Sequence, residues 1–592
     1  MTTLGSFRVH RATTRLTTGL LCCLVASSPA IAQSVASAPD SATIFIAKQF
    51  HTMERAAPTA QAVAVVGKRI VGVGSLADVR RSLGARAYRV DSTFREKTVL
   101  PGFIDQHLHP ILGALTMTTE IIAPEDWVLP TRTYTAARTP AEYRARLRAA
   151  HVAFTDTTRW LTAWGYHALW HGPISRAFLD SISTTRPILI WQRSVHEFYL
   201  NTAAINTLGL TDSSMRGHGR ASEMYDWAQG HWWESGTNLI MAPALKVLAA
   251  PFRVTAGLKQ MIAMLHARGV TAFNEPGIIV TPEMWKLYQF MLGAADTPFY
   301  SYFFPDARQQ VDNGIPVERA IADAERQVAM APEGKVSFFP KTIKLFADGA
   351  IVSQLMQMKD GYLDGHSGEW MMTPAALEER ARLYWNADYQ LHIHVTGDGG
   401  LDLVLGVLEK LQREHPRTDH RTVIVHFANS TEAQVKRIKT VGAIVSANPY
   451  YPVGFADEYT KVGLGGARAD VMSRAKSVLD AGIPLSFHSD LPIAPSDPLF
   501  LAWSAVNRVT ASGRVAAPEQ RISVMDAMRG ITIEAAYSWR KEADLGSIAV
   551  GKIANFTVLD RDPFVVDPIT LKDIPVWGTV FEGRVFPVPV RR

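Results

Sequence analysis

Beyond residue 32 the 592-residue sequence contains no cysteine; its only two, Cys22 and Cys23, stand in an N-terminal leader. That absence excludes a structural disulfide, a thiol nucleophile and a thiolate metal site from the rest of the chain. Histidine, carboxylate and modified lysine are left as the strong ligands. It also suits an oxidising compartment. Past the leader, no segment is long and apolar enough to span a bilayer. One sign of charge is not in marked excess either: 61 Lys and Arg face 55 Asp and Glu, and since Arg8, Arg11 and Arg15 belong to the leader, the remainder carries a balance of only +3. Nothing in that balance argues for nucleic acid. With 47% hydrophobic and 20% charged residues, wholesale disorder and a fibrous repeat are excluded as well.

Residues 1–32 read as an export signal. Arg8, Arg11 and Arg15 make a positive n-region, residues 16–28 an apolar stretch short for a bilayer, and Ala30-Ile31-Ala32 a small-x-small cleavage site before Gln33. A twin-Arg signature is absent. Leu21 before Cys22 is too bulky for lipoprotein processing, so a periplasmic or secreted protein without a stable membrane anchor is expected.

Alternating apolar and polar residues over 43–73, with Gly67 and Gly72 as turn points, predict a small antiparallel sheet, and a β-rich stretch recurs at 546–585. The two ends are expected to close into one composite β-sandwich domain built from 41–98 and 541–592. Between them, over 99–540, short β-branched runs alternate with amphipathic helical stretches at 316–330, 374–387, 401–414 and 432–440. Eight strand candidates (98–104, 270–274, 299–304, 342–346, 391–395, 422–427, 443–447 and 484–487) predict an α/β fold of the TIM type, a (β/α)8 barrel. An insertion at about 120–250 follows the first strand. It holds eight of the 14 tryptophans: Trp127, Trp160, Trp164, Trp170, Trp191, Trp227, Trp232 and Trp233. These form either a subdomain core or an aromatic wall over a substrate, with Trp164 as the contact in the second case.

The chemistry gathers at strand ends. Pro101-Gly102-Phe103-Ile104-Asp105-Gln106-His107-Leu108-His109 puts two imidazoles at a two-residue spacing, which in an extended chain shares one face and lets both reach one cation. The runs ending at His394, His426 and His488-Ser489-Asp490 each bring a polar group to a strand terminus, where a barrel carries its active site. Lys344 lies inside the apolar run Thr342-Ile343-Lys344-Leu345-Phe346, where an unpaired ammonium is costly. A neutral amine there can take up carbon dioxide as a carbamate that bridges two cations; the alternative is an ordinary lysine paired with a carboxylate such as Asp348 in a one-metal site. Lys341 has the opposite parity.

At these residues the sequence resembles the amidohydrolase superfamily, and within it amidohydrolase family 3 proteins of the YtcJ and N-substituted formamide deformylase type. The resemblance runs over about 43–585. It rests on the Pro-Gly-Phe-Ile-Asp-x-His-x-His opening, Lys344-x-Phe346-x-Asp348-Gly349, His394-x-x-Gly397-Asp398, His426, Ser489-Asp490-x-Pro492 and Leu545-Gly546-Ser547-Ile548-x-x-Gly551-Lys552. It implies a hydrolytic centre of one or two divalent ions, Zn²⁺ for a His-rich set. His107 and His109 would hold the more buried ion, carbamylated Lys344 would bridge, His394 and His426 would hold the second, and Asp490 would be ligand and general base. His196 and Arg508 stand at positions that the resemblance assigns to substrate. Asn555, where the terminal motif usually has Asp, and Asn274-Glu275-Pro276-Gly277 depart from the pattern. His392, His488, Asp105 and Asp398 read as supporting groups.

The function expected is hydrolysis of an amide or related C–N bond of a small, apolar or aromatic substrate. Two cations would lower the pKa of a bridging water and polarise the carbonyl. An ester, lactone or carbamate hydrolase on the same site is the alternative, followed by a noncatalytic binding or regulatory protein. A homodimer stays open. Glycoside hydrolysis needs paired carboxylates and does not explain the histidines.

Overall fold

The computed structural model describes residues 41–156, 158–278 and 281–589; the leader lies outside them. Strands from both ends join one seven-stranded sheet. Its order is Arg584–Pro587, Val576–Phe581, Phe556–Leu559, Tyr88–Pro101, Ala42–His51, Thr59–Val66, Arg69–Gly74. Phe45, Phe94 and Phe556 pack in its core, 5.6 and 6.4 Å between ring centroids. The two ends thus share one hydrogen-bonded sheet, in which Ala42–His51 pairs with Tyr88–Pro101 in parallel. The helix Leu76–Leu83 turns the chain back before that strand, which is the crossover a parallel pair requires.

The run expected as the first barrel strand is divided. Thr98 to Pro101 pair with Leu559 to Phe556 in the terminal sheet, Gly102 breaks the ladder, and β1 is only Phe103–Asp105. A side chain at position 102 would collide with Thr271, its Cβ meeting Oγ1 at 2.1 Å, so the crossing from one sheet to the other demands glycine. The other strands are β2 (Val270–Pro276), β3 (Tyr300–Phe304), β4 (Thr342–Phe346), β5 (Gln390–Val395), β6 (Val423–His426), β7 (Ile444–Ala447) and β8 (Leu485–Phe487). They lie in two wholly parallel sheets: Val336–Phe338, β3, β2, β1 in one, and β4 to β8 in sequence order in the other. These strands are buried on both faces, which is why they read as continuous apolar runs. Two seams link the sheets. Asp306 bridges to Lys344, and the Asp490 N–H donates to the His107 carbonyl at 2.9 Å.

The helices start where the sequence caps them. Thr373 accepts from the Ala376 N–H ahead of Pro374–Asn386, and Thr431 with Gln434 forms a capping box for Glu432–Val441, which Gly442 ends at φ 75°. Each cap contributes about 1 kcal/mol. In the insertion, six short strands form a separate sheet around Leu161–Tyr166 and Ile188–Gln192. Among the described residues no single helix is long and apolar enough to cross a membrane.

Candidate active site

The site is assembled from residues just past the strand ends. After β1 the chain bends at Gln106 and His107 and then lies between two neighbours: Leu108 N–H donates to the Asn274 carbonyl at 2.9 Å, and His109 N–H to the Leu491 carbonyl at 3.1 Å. These two hydrogen bonds fix the sides to which residues 107–109 turn. Leu108 is fully buried in the insertion core, while His107 and His109 turn the other way with their Nε2 atoms 3.1 Å apart.

Asp490 faces both. Its Oδ1 is 3.3 Å from His107 Nε2 and 3.5 Å from His109 Nε2, and its Oδ2 is 3.5 Å from His426 Nδ1. Asp490 and His426 both have left-handed backbones, φ 56° and 75°, which non-glycine residues hold only where the surroundings compel it. Part of that compulsion is Asp105, buried at the end of β1. Its carboxylate accepts from Ser489 N–H at 2.9 Å and from the Ser489 and Ser496 hydroxyls at 2.5 Å, anchoring the loop that carries Asp490. The rest comes from the insertion. Arg193, fully buried, donates to the carbonyls of Pro492 at 2.9 Å and Ile493 at 2.5 Å, and pairs with Glu125 at 2.6 Å.

His394 and His426 lie with ring centroids 4.4 Å apart. Lys344 reaches the same cavity, and its buried Nζ has no hydrogen-bond partner among the described residues. Asp348 does not pair with it. That carboxylate accepts from the N–H groups of Gln357, Thr396 and Gly397 at 2.9, 2.9 and 2.7 Å, fixing the turn after His394. Lys341 points outward, 3.3 Å from Glu325. Gly277, at φ 83°, closes on Lys344: a Cβ there would lie 3.2 Å from Lys344 Cγ.

Burial governs the titration of these groups. It draws Lys344 down to about 7 against the pull of Asp490 and Asp306. It holds His107, with help from Lys344 and the neighbouring imidazoles, well below the ordinary histidine value, and does the same to His394 and His426. His109 is the exception. Burial works to lower it, but the carboxylates of Asp490 and Glu275 override this and raise it to about 9.

His107, His109, Lys344, His394, His426, Asp490 and His196 line one cavity of about 200 Å³. Two expected substrate contacts do not. The Arg508 guanidinium is enclosed, donating to the carbonyls of Ala516, Ser473, Asp470 and Met472 at 2.7 to 3.1 Å, and ties two loops together. Trp164 is wholly buried, edge-on to Trp127 at 5.0 Å with the Arg193 guanidinium 5.1 Å away. No tryptophan is among the described residues that line this cavity, so the aromatic wall over the ligands is not found; the insertion contributes Ser194, Val195 and His196 instead.

Several residues of the site receive no ligand or substrate role from the sequence. Glu275 lies 3.5 Å from His109 Nδ1 and accepts from the Tyr288 hydroxyl at 3.3 Å, orienting that ring. Tyr451 and Arg308 line the cavity. His488 is closer to the ligands than a supporting role suggests. Ser446 has one hydroxyl proton and gives it to Gln106 Oε1 at 2.7 Å, so at its 2.8 Å contact the Ser446 oxygen must accept from His488 Nδ1. The lone pair of His488 Nε2 then faces His426 Nδ1 at 3.2 Å.

The donor set fits a cation. Ligand atoms of His107, His109 and Asp490 lie within 4.8 Å of one another, as do those of His107, His426 and His488. His107 Nδ1, His394 Nε2 and Lys344 Nζ are buried without hydrogen-bond partners, which costs free energy unless something is bound. Imidazoles and a carboxylate at strand ends, on an α/β fold, are the constituents of a metal-dependent hydrolase. The chain belongs to the amidohydrolase family, whose model matches residues 95–587. It is 26% identical to the N-substituted formamide deformylase of Arthrobacter pascens, over 88% of this chain and 94% of that protein. It is 25% identical to Protein LONG AFTER FAR-RED 3 of Arabidopsis thaliana, over 86% of each. In fold it resembles the crystal structure of an uncharacterized metal-dependent hydrolase from Pyrococcus horikoshii OT3, with a TM-score of 0.66 at 19% identity over 89% of this chain and 99% of the other.

Proposed function

We propose that this protein is an exported amidohydrolase that cleaves an amide or related C–N bond of a small substrate. The observation that carries the reading is the convergence of His107, His109, Lys344, His394, His426 and Asp490 on one cavity. The two parallel sheets are read as the halves of a closed (β/α)8 barrel. The bridge from Asp306 to Lys344 and the hydrogen bond from Asp490 to His107 support closure.

His107, His109 and Asp490 would hold one ion, His394 and His426 a second, and Lys344 as its carbamate would serve both. An imidazole-rich set without thiolate favours Zn²⁺. When bound, the metal supplies the Lewis acidity that activates water and polarises a carbonyl. Asp490 takes the proton of the attacking water and returns it to the leaving nitrogen as the tetrahedral adduct collapses. Glu275 and the Asp105 anchor keep His109 and Asp490 in place for that transfer. The apolar lining of Leu112, Val195, Phe346, Ile351 and Val352 supports a substrate with a small apolar part and excludes bulk water.

Elemental analysis of the purified protein, followed by a hydrolysis screen over N-acyl, N-formyl, ester and lactone compounds, tests the metal and the bond separately. His107→Ala or His109→Ala is expected to lose metal and turnover together. Full metal content and turnover in both variants would refute the site. Export rests on the leader: N-terminal mass spectrometry of exported protein is expected to begin at Gln33, and an intact Met1 would sink it.

A further inference from the structure

We infer that the substrate carries a carboxylate a few bonds from the scissile amide and that Arg308 binds it; this rests on the amidohydrolase reading of the cavity. Arg308 enters from the first turn of the helix Ala307–Asp312, directly after β3, and lines the cavity that holds the ligands. Asp306 fixes that turn by accepting from the Arg308 and Gln309 N–H groups at 2.7 and 3.1 Å. The guanidinium carbon lies 5.7 Å from the centre of the Phe346 ring, which is itself 5.7 Å from the His394 ring. The cation is therefore stacked beside the reacting end of the cavity.

Its donors are not committed. Arg308 Nε is buried without a hydrogen-bond partner, and the one acidic partner among the described residues is Asp312, 3.5 Å away and too far for a hydrogen bond. Asp312 is itself largely exposed to water. Asp490 is the only carboxylate among the described lining residues, and it belongs to the histidine cluster. His196, the other polar group on that side, is taken up by Glu234 at 3.1 Å. A half-buried guanidinium with free donors on an apolar wall has the planar fork that pairs with a carboxylate. A neutral amide would leave its buried Nε without an anionic partner.

Size narrows the class further. Pockets for drug-sized ligands run to about 300–1,000 Å³, and this cavity is about 200 Å³. Phe346, Ile351 and Val352 offer a short apolar group a wall there, while Arg308 and Met371 also border a second cavity that Glu234, Asp312 and Glu369 line. An N-acyl or N-formyl derivative of a small amino acid meets each requirement: a scissile amide, an adjacent carboxylate and a compact apolar group.

The test compares N-acetyl and N-formyl amino acids with the matching primary amides, which keep the scissile bond and replace the carboxylate by a carboxamide. Wild type is expected to prefer the acids. Arg308→Leu should raise KM for the acids about ten- to a hundredfold, with kcat and the KM of the neutral partners changed less than about threefold. Arg308→Lys should fall between, since it keeps the charge and loses the fork. Asp312→Asn removes the competing carboxylate and should lower KM for the acids. Equal effects of Arg308→Leu on acids and amides, or a wild-type preference for the neutral partners, would overturn the inference. If wild type hydrolyses neither although the broader screen finds another scissile bond, the substrate class is wrong while the amidohydrolase reading stands. Calorimetric binding of an N-acetyl amino acid to metal-loaded wild type and Arg308→Leu then decides the carboxylate site: loss of affinity in the variant upholds it, and equal affinity rejects it.

Discussion

Asp490→Asn is expected to lower kcat by about 10²- to 10⁴-fold, the range that a positioned general base commands. The substitution keeps the shape of the side chain and one carbonyl oxygen. That oxygen can still stand near His107 and His109, which Oδ1 meets at 3.3 and 3.5 Å, while an NH₂ group replaces the Oδ2 that lies 3.5 Å from His426. What is lost is the capacity to take a proton and the negative charge that holds these groups together. Those two losses separate by measurement. If proton transfer is the role, metal content measured beside kcat should fall far less than turnover does. If ligation is the whole role, metal and activity should decline in parallel. A kcat within about threefold of wild type would remove Asp490 from the chemistry altogether.

The strand-end groups are legible because each closes an apolar run. A β-branched segment that stops at His394, His426 or Asp490 states both the strand and its polar terminus, and buried parallel strands tolerate few other polar residues. Lys344 stands out for the same reason. Tyr451 and Arg308 have no such setting, lying past strand ends in segments whose pattern does not say which wall they join, and Glu275, though near the end of β2, gives no sign in the sequence that it meets His109. Arg193 is the extreme case, since its partners Pro492 and Ile493 lie about 300 positions along the chain. The tryptophans mislead in the other direction. Aromatic density is the same whether rings fill a core or face a ligand, and Trp127, Trp164 and Trp232 fill a core. Arg508 resembles a substrate contact until its guanidinium is seen among backbone carbonyls. The length of β1 is likewise invisible in a run that continues through Pro101, because the apolar pattern does not change where one sheet hands over to the next.

Lys344→Ala is expected to cost about 10³-fold or more in turnover if Lys344 carries the proposed bridge, since the variant would lose it and with it several kcal/mol of transition-state stabilisation. The competing account, a lysine ion-paired in a one-metal site, needs a carboxylate partner for Nζ. Asp348 is committed to three backbone N–H groups, and among the described residues Nζ has no hydrogen bond, lying 5.1 Å from the centre of the Phe346 ring. A neutral amine in that position would add carbon dioxide and release a proton, giving an N-carboxylate with two ligand oxygens. The truncated variant should then regain part of its activity when a short carboxylic acid is supplied with the metal, since the acid fits the vacated space and offers the same oxygens. Lys341→Ala, whose side chain lies at the surface beside Glu325, should retain most activity. A bare amine at Lys344 in density maps of the metal-loaded enzyme, or normal turnover in Lys344→Ala, would rule out the bridge. A mononuclear site on His107, His109 and Asp490 would then be the account that the geometry supports, with His488 Nε2, 3.2 Å from His426 Nδ1, as the next nitrogen available to it.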